Sequence, residues 1–356
     1  MKVSSVQLTL EENKFLVNFP DTRYQGSKSK IADWIWGKIS DIEFDTVLDA
    51  FAGTGVIAHK LKREGKEVTY NDLLEANYQI GVALIENSET KLSEKDIRNI
   101  VDERNIGYDN IIQSNFEEIY FTSEENKWLD IVIQNIETIE NRYKRAIAYF
   151  ALFQSCIIKR PFNLFHRKNL YIRFADVNRN FGNKTTWDKP FEHYFRKFIE
   201  EANKAIFSNN RDNKAMNMDA LNIKNEYELV YIDTPYVSPS GVGVDYYQFY
   251  HFLEGILHYH DWEKLIDSRS KHHRLKPKKN IWCDPREIYQ GFERVFKNFE
   301  DSILVISYRT PGIPSKDDLI DILGSYKKDV KYFETNYKYV LTKKGSENGE
   351  ILLIGK

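Results

Sequence analysis

Four consecutive residues, Asp233-Thr234-Pro235-Tyr236, directly follow the apolar run Leu229-Val230-Tyr231-Ile232. Their types suit methylation of an amino group on a flat heterocycle. Such an amine is a poor nucleophile, because its lone pair is delocalised into the ring. Density has to be drawn back onto nitrogen while a methyl donor is held in line with it. The Asp233 carboxylate can accept one amino hydrogen, the backbone carbonyl of Thr234 can accept the other, and the Tyr236 ring offers a stacking face. Pro235 keeps Thr234 extended, as a rigid turn at a strand end requires. Alone, the four residues equally describe a strand ending in a Pro-Tyr turn, so the chemistry needs a donor site elsewhere in the chain.

A second cluster offers one. Asp49-Ala50-Phe51-Ala52-Gly53-Thr54-Gly55 reads as a glycine turn between a strand and a helix, where a ligand can approach the backbone closely. Gly53, Gly55 and Ala58 also satisfy a dinucleotide fingerprint, and Asp72, at the end of the next strand, is placed for a ribose in either case. Asp49 favours one of the two. An acid before the glycines repels a pyrophosphate but suits the cationic amino-acid part of a sulfonium donor. Asp233 and its neighbours have no role in hydride transfer, so the two motifs together favour S-adenosylmethionine over a nicotinamide.

The elements that position these residues alternate. Thr46 to Phe51 reads as a buried strand, Val56 to Arg63 as a helix ended near Gly65, Glu67 to Asn71 as the next strand and Leu73 onward as a helix, which makes a βαβ unit. Between about Thr90 and Phe207 the pattern is helical, best in Ile139 to Lys159, with an irregular basic stretch from Pro161 to Trp187. Alternation resumes at Leu229 and runs through Ile303 to Ser307. The chain ends in two strand-like runs, Lys331 to Leu341 and Ile351 to Ile354, which predict a hairpin closing a mixed sheet. Residues 1–88 and 209–356 are thus expected to form the catalytic domain, with 89–208 as an insert and a basic loop at about 259–285.

Composition narrows the partners. In 356 residues, 42% hydrophobic and 14% aromatic content excludes a disordered chain despite 29% charged residues. Cys156 and Cys283 are far apart, with no Cys-x-x-Cys pair and no histidine spacing that suggests a metal, so a reducing, cytoplasmic setting is expected. Neither a leader nor a membrane-spanning run is evident. The net charge of −2 does not advertise a polyanion partner, but the distribution does. Between Lys159 and Lys189 eight basic residues face only Asp176 and Asp188, and the run Arg269 to Lys279 contains no acid. Two basic patches on an otherwise acidic chain fit a nucleic-acid enzyme, although a solvated loop explains the second run equally well.

Taken together, these motifs resemble the α-class, Dam-like DNA adenine-N6 methyltransferases. Arg23-Tyr24-Gln25-Gly26-Ser27-Lys28 is similar to the family's opening Arg-Tyr-x-Gly-Gly-Lys, Asp49 to Gly55 to its cofactor turn, Asn71-Asp72 to its ribose acid and Asp233 to Tyr236 to its Asp-Pro-Pro-Tyr, in the same order. The resemblance implies an α/β, Rossmann-like S-adenosylmethionine-dependent methyltransferase fold with a mostly helical target-recognition insert. It implies that Tyr24, Gly26 and Lys28 help hold the donor, that Phe51 packs on it beside Gly53, Thr54 and Gly55, that Asp72 binds its ribose, and that Asp219 lies near its adenine. A helix N-cap is the alternative role for Asp219. Ser27 replaces a glycine and Thr234 a proline. The latter is harmless where a main-chain carbonyl is the acceptor.

By the same resemblance the reaction is direct methyl transfer to adenine N6 in duplex DNA, with no metal and no membrane. The base has to leave the stack at a cost of a few kcal/mol. The loop Val237 to Val244 has the composition of a mobile cover, and Tyr246, Tyr247, Phe249, Tyr250 and Phe252 are expected mainly in the core. Phe162 to Asn169 resembles the family's Asn-x-x-x-Arg-x-Asn element, which assigns Asn163, Arg167 and Asn169 to DNA, with Lys159, Arg160 and Lys168 on phosphate. A cognate restriction endonuclease is left open as a partner. Two other readings stay open: methylation of RNA adenine, cytosine N4 or a protein amide, and an idle DNA-binding module that keeps the donor pocket.

Overall fold

The structure, a computed structural model, describes residues 17–175, 184–224, 226–335 and 349–356. Asp176 and Arg179 of the basic stretch, and the connection inside the C-terminal hairpin, lie outside these residues.

Seven strands form one sheet: β1 (Thr46–Asp49), β2 (Glu67–Asn71), β3 (Lys214–Met216), β4 (Leu229–Ile232), β5 (Ile303–Thr310), β6 (Val330–Thr335) and β7 (Gly349–Gly355). Their order is β3-β2-β1-β4-β5-β7-β6. The first five pair in parallel, and β7 lies antiparallel between β5 and β6. The expected hairpin is present. The three-residue edge strand β3 carried no clear signal in the sequence.

Strand residues alternate between two apolar layers, as a pleat of period two requires. Val47, Leu229, Tyr231, Val305 and Leu352 face one layer, whereas Leu48, Val230, Ile232, Leu304 and Leu353 face the other. Burial on both faces explains why β4 reads as a continuous apolar run. The second layer is covered by helices Ile288–Asn298 and Lys316–Gly324. The first is far larger. It joins Val56–Arg63 and Glu75–Gly81 to the helices Ser123–Glu137, Arg142–Ile158 and Phe191–Ala205 of the insert.

The segment 89–208, expected as an insert, therefore shares a core with the sheet. In Arg142–Ile158 every residue from Ala146 to Ile158 is buried, which places this helix at the centre of that layer. Its start is set by Asn141, whose side chain accepts from the backbone N–H groups of Tyr143 and Lys144.

The strand order reverses between β1 and β4, so their connecting segments leave toward opposite faces and open a crevice at the carboxyl ends of these strands. Asp49 ends β1, and Asp233 directly follows β4. The register pairs Asp49 with Tyr231, which brings the two sequence motifs to the same edge.

Candidate active site

At that edge lies a cavity of about 350 Å³, lined by residues of both motifs. Tyr24, Gly26, Lys28, Asp49, Phe51, Gly53, Thr54, Asp72 and Asp219 line it together with Asp233, Thr234, Pro235 and Tyr236. Gly55 stands behind this wall. It caps the helix Val56–Arg63 with φ +79°, and a Cβ there would press on the Tyr70 ring at 3.2 Å. Gly26 is similarly constrained, with φ +86° and the Tyr246 hydroxyl against its open side.

At the β1 end of the cavity lies a cluster of buried carboxylates. Asp49 Oδ2 accepts from the Ala58 N–H at 3.2 Å, while Asp49 Oδ1 is buried without a hydrogen bond. Burial, with Asp233 and Asp72 nearby, holds the Asp49 carboxyl well above its usual range. Asp72 accepts from the N–H groups of Gly53 and Leu74, both at 2.8 Å, which fixes the glycine turn and the start of the following helix in one contact. Asn71 donates to the carbonyls of Ala50 and Met218, tying the end of β1 to the segment that carries Asp219. Asp219 is an N-cap and also lines the cavity. Its Oδ1 accepts from the Leu221 N–H at 3.0 Å as an N-cap, and its side of the turn lines the cavity.

Aromatic rings form the walls. Tyr24 stacks on Tyr250 with centroids 4.2 Å apart and on Tyr246 at 5.7 Å, and its hydroxyl accepts from Asn77. Phe51 meets Trp282 edge-on at 4.9 Å. The aromatic run from Tyr246 to Phe252 divides: Tyr250 and Phe252 are core residues as expected, whereas Tyr246 and Tyr247 line the cavity.

Around Asp233 the structure adds Glu350, Ser307 and Arg309, which sequence reading did not single out. Lys28 Nζ lies 2.7 Å from Asp233 Oδ1 and 3.2 Å from Glu350 Oε1, and the Ser307 hydroxyl donates to Glu350 Oε1 at 2.5 Å. Arg309 Nη1 donates to the Tyr236 hydroxyl at 2.5 Å, with its guanidinium carbon 4.8 Å from the ring centre. Thr234 is buried, and its hydroxyl has no hydrogen bond. Burial pushes the Asp233 carboxyl up to about 6, against the pull of Lys28.

Main-chain hydrogen bonds shape the segment after Tyr236, whose composition is that of a mobile cover. Gly241 N donates to Ser238 O, Ser238 N to Val242 O, Val244 N to Tyr236 O and Ile313 N to Val237 O. Two of these bonds close the turn between Ser238 and Val242, and two tie the segment to Tyr236 and Ile313. The basic loop reaches the same mouth, where Lys278, Lys279 and Asn280 line the cavity and Lys278 Nζ sits 4.5 Å over the Tyr247 ring.

None of the six residues assigned to DNA lines the cavity. Arg167 and Lys168 are exposed, Asn163 is half-buried and Asn169 is buried. For Lys159 and Arg160 the phosphate assignment is corrected, because both are 1% exposed. Lys159 pairs with Glu125 at 2.5 Å and donates to the Lys189 carbonyl. Arg160 donates to the carbonyls of Leu164, Tyr120, Lys168 and Arg167 and lies over the Tyr120 ring. They shape the insert from inside.

Among the described residues no group of three or more His, Cys, Asp or Glu side chains is arranged to hold a metal ion. No described helix is long and apolar enough to cross a membrane.

Residues 24–303 match the D12 class N6 adenine-specific DNA methyltransferases. The chain is 27% identical over 338 residues to the type II methyltransferase M2.HphI of Haemophilus parahaemolyticus, covering 93% of this chain and 94% of that one. It is 28% identical over 359 residues to the modification methylase StsI of Streptococcus sanguinis, covering 92% of this chain but 50% of the longer relative. Similarity to the type II methyltransferase M.CviAII of Paramecium bursaria Chlorella virus 1 is 25% over 323 residues, or 86% and 88% of the two chains.

Proposed function

The chain belongs to the D12 class N6 adenine-specific DNA methyltransferases, and from that premise we propose that the cavity between β1 and β4 is where an adenine turned out of the duplex is methylated. The carrying observation is that the glycine turn and the Asp233 turn, 178 or more residues apart in the chain, open into one space.

The chain's own residues fit S-adenosylmethionine as donor. Asp49 Oδ1 is a buried acceptor without a partner, suited to an ammonium or another donor group of the amino-acid part. Asp72 retains lone pairs beyond its two amide contacts for ribose hydroxyls. Phe51, Tyr24 and Trp282 supply apolar surface. When bound, this donor supplies an electrophilic methyl group.

Asp233 and the Thr234 carbonyl accept the two amino hydrogens of the adenine, which localises the nitrogen lone pair and meets the developing positive charge with fixed acceptors. Asp233 Oδ1 is held by Lys28, and Oδ2 takes no hydrogen bond from the described residues, so the carboxylate is oriented but not fully engaged. Tyr236 stacks on the displaced base, with Arg309 holding its hydroxyl. Alignment of two bound reactants supplies about 7–11 kcal/mol of the barrier in favourable cases. Arg167 and Lys168, exposed on the insert, and the Lys278-Lys279 edge of the mouth are the cations placed to meet duplex DNA. The relatives' names, type II methyltransferase and modification methylase, support a place beside a restriction endonuclease.

Incubation of the purified protein with unmethylated duplex DNA and labelled donor is expected to yield N6-methyladenine. Asp233→Ala is expected to abolish the product while donor binding, followed by calorimetry, persists. Full activity of that variant refutes the role given to Asp233.

A further inference from the structure

Glu350 is wholly buried on β7, opposite Arg309 of β5, and lies outside the family-matched segment. A carboxylate in such a place is costly unless charge and hydrogen bonds compensate it. Both are present. Its Oε1 accepts from the Ser307 hydroxyl at 2.5 Å and stands 3.2 Å from Lys28 Nζ. The same ammonium lies 2.7 Å from Asp233 Oδ1. Three segments remote in sequence thus converge, and two carboxylates share one cation.

We infer that Glu350 is a positioning residue for methyl transfer: held by Ser307, it anchors the Lys28 ammonium against Oδ1 of Asp233 and leaves Oδ2 for the substrate amine. The inference rests on the reading of Asp233 as acceptor of the N6 hydrogens. The ammonium has three hydrogens, enough for both acids at once. With Glu350 in place, Lys28 cannot swing away from the acceptor without breaking a buried pair. The charge of Glu350 also matters. It shares Lys28's compensation, so Asp233 keeps more basicity than a carboxylate paired alone with lysine would have.

Among the described residues, the other groups facing Asp233 are Asp49 at the end of β1, Tyr231 on β4 and Tyr246. Both phenols are held well above their ordinary range by burial, and Asp49 is raised by burial as well. Lys28, which lies against both acids, is the group through which Glu350 acts on Asp233.

Glu350→Gln keeps the shape and one acceptor but removes the charge, and Lys28→Met removes the cation. Two readouts apply to each: the pH profile of kcat on duplex DNA, and the titration of the Asp233 carboxyl carbon by NMR of protein carrying labelled aspartate, with the resonance identified through Asp233→Asn. In Glu350→Gln the acid limb and the titration are expected to move down together, with kcat lowered on the order of tenfold and donor affinity retained. In Lys28→Met the titration moves up. Folded Glu350→Gln protein with an unmoved Asp233 titration overturns the inference. A shifted titration in protein whose wild type methylates no DNA keeps the inferred network and rejects the functional reading. Should Glu350→Gln fail to fold, Ser307→Ala is expected to lower kcat without changing KM for DNA, and wild-type kcat there overturns the inference equally.

Discussion

Burial pushes the Asp233 carboxyl up to about 6, Lys28 lowers it and Glu350 raises it again. The anion is the better acceptor for an amino hydrogen, so transfer is expected to fall as pH drops through about 6, read from kcat on saturating DNA. Stability responds in the opposite sense. The folded-state value exceeds that of a free aspartate, about 3.9, so between these values the folded protein binds more protons than the unfolded chain. This group's contribution therefore declines as pH rises through that window, and above about 6 the full cost of holding a buried anion remains. Asp233→Asn removes that charge while Lys28 keeps Glu350 as its partner. It is expected to raise the melting temperature at pH 7.5, corresponding to roughly 1 kcal/mol, and to lose that advantage near pH 4. A lower melting temperature for Asp233→Asn at pH 7.5 would show instead that the ion pair with Lys28 outweighs the burial cost.

Two arginines of the insert, seven residues apart, separate at the level of the elements they serve. The Arg160 guanidinium is buried and donates to three carbonyls of the turn that follows helix Arg142–Ile158 and to that of Tyr120, whereas Arg167 is exposed at the outer end of that turn. Leaving a buried carbonyl without its donor typically costs about 1–3 kcal/mol, and Arg160 serves four carbonyls. Arg160→Ala is thus expected to lower the melting temperature sharply. Arg167→Ala should leave it unchanged and weaken binding to duplex DNA; equal melting temperatures for the two would contradict this division. The sequence could not separate them, because charge patterning does not report which way a side chain points. By contrast, β1, β2, β4, the helix Val56–Arg63 and the glycine turn were legible, since each depends on local alternation, a run of buried residues or a glycine at a turn. The convergence of Asp49, Asp72 and Asp233 was legible only through motif order. Lys28 was assigned to the donor, but its contacts with Asp233 and Glu350, like those of Arg309 with Tyr236 and Trp282 with Phe51, arise from tertiary approach of distant segments. No local pattern encodes these contacts.

Across the whole molecule a net charge of −2 is reconciled with a polyanionic substrate by where the cations lie. Arg167 and Lys168 project from the insert, and Lys278 and Lys279 stand at the cavity mouth. The two regions are joined internally. The Tyr120 hydroxyl donates to the Phe165 carbonyl at 2.7 Å and lies 3.0 Å from that of His272, while Phe165 N donates to Phe249 O at the end of the helix Tyr246–Phe249. A duplex bridging both regions would be gripped by cations from segments more than a hundred residues apart, held in fixed relation by this buried contact. Each phosphate neutralised adds about 0.9 to the slope of log affinity against log salt, whatever the base sequence. Lys168→Ala and Lys278→Ala are each expected to make that slope shallower by about 0.9, and the double variant by about 1.8, in fluorescence anisotropy with a labelled unmethylated duplex. Lys159→Met, which alters a buried ion pair, should leave the slope unchanged. If Lys168→Ala flattens the slope and Lys278→Ala does not, the duplex lies on the insert alone, and the path of the displaced base into the cavity has to be redrawn without the basic loop.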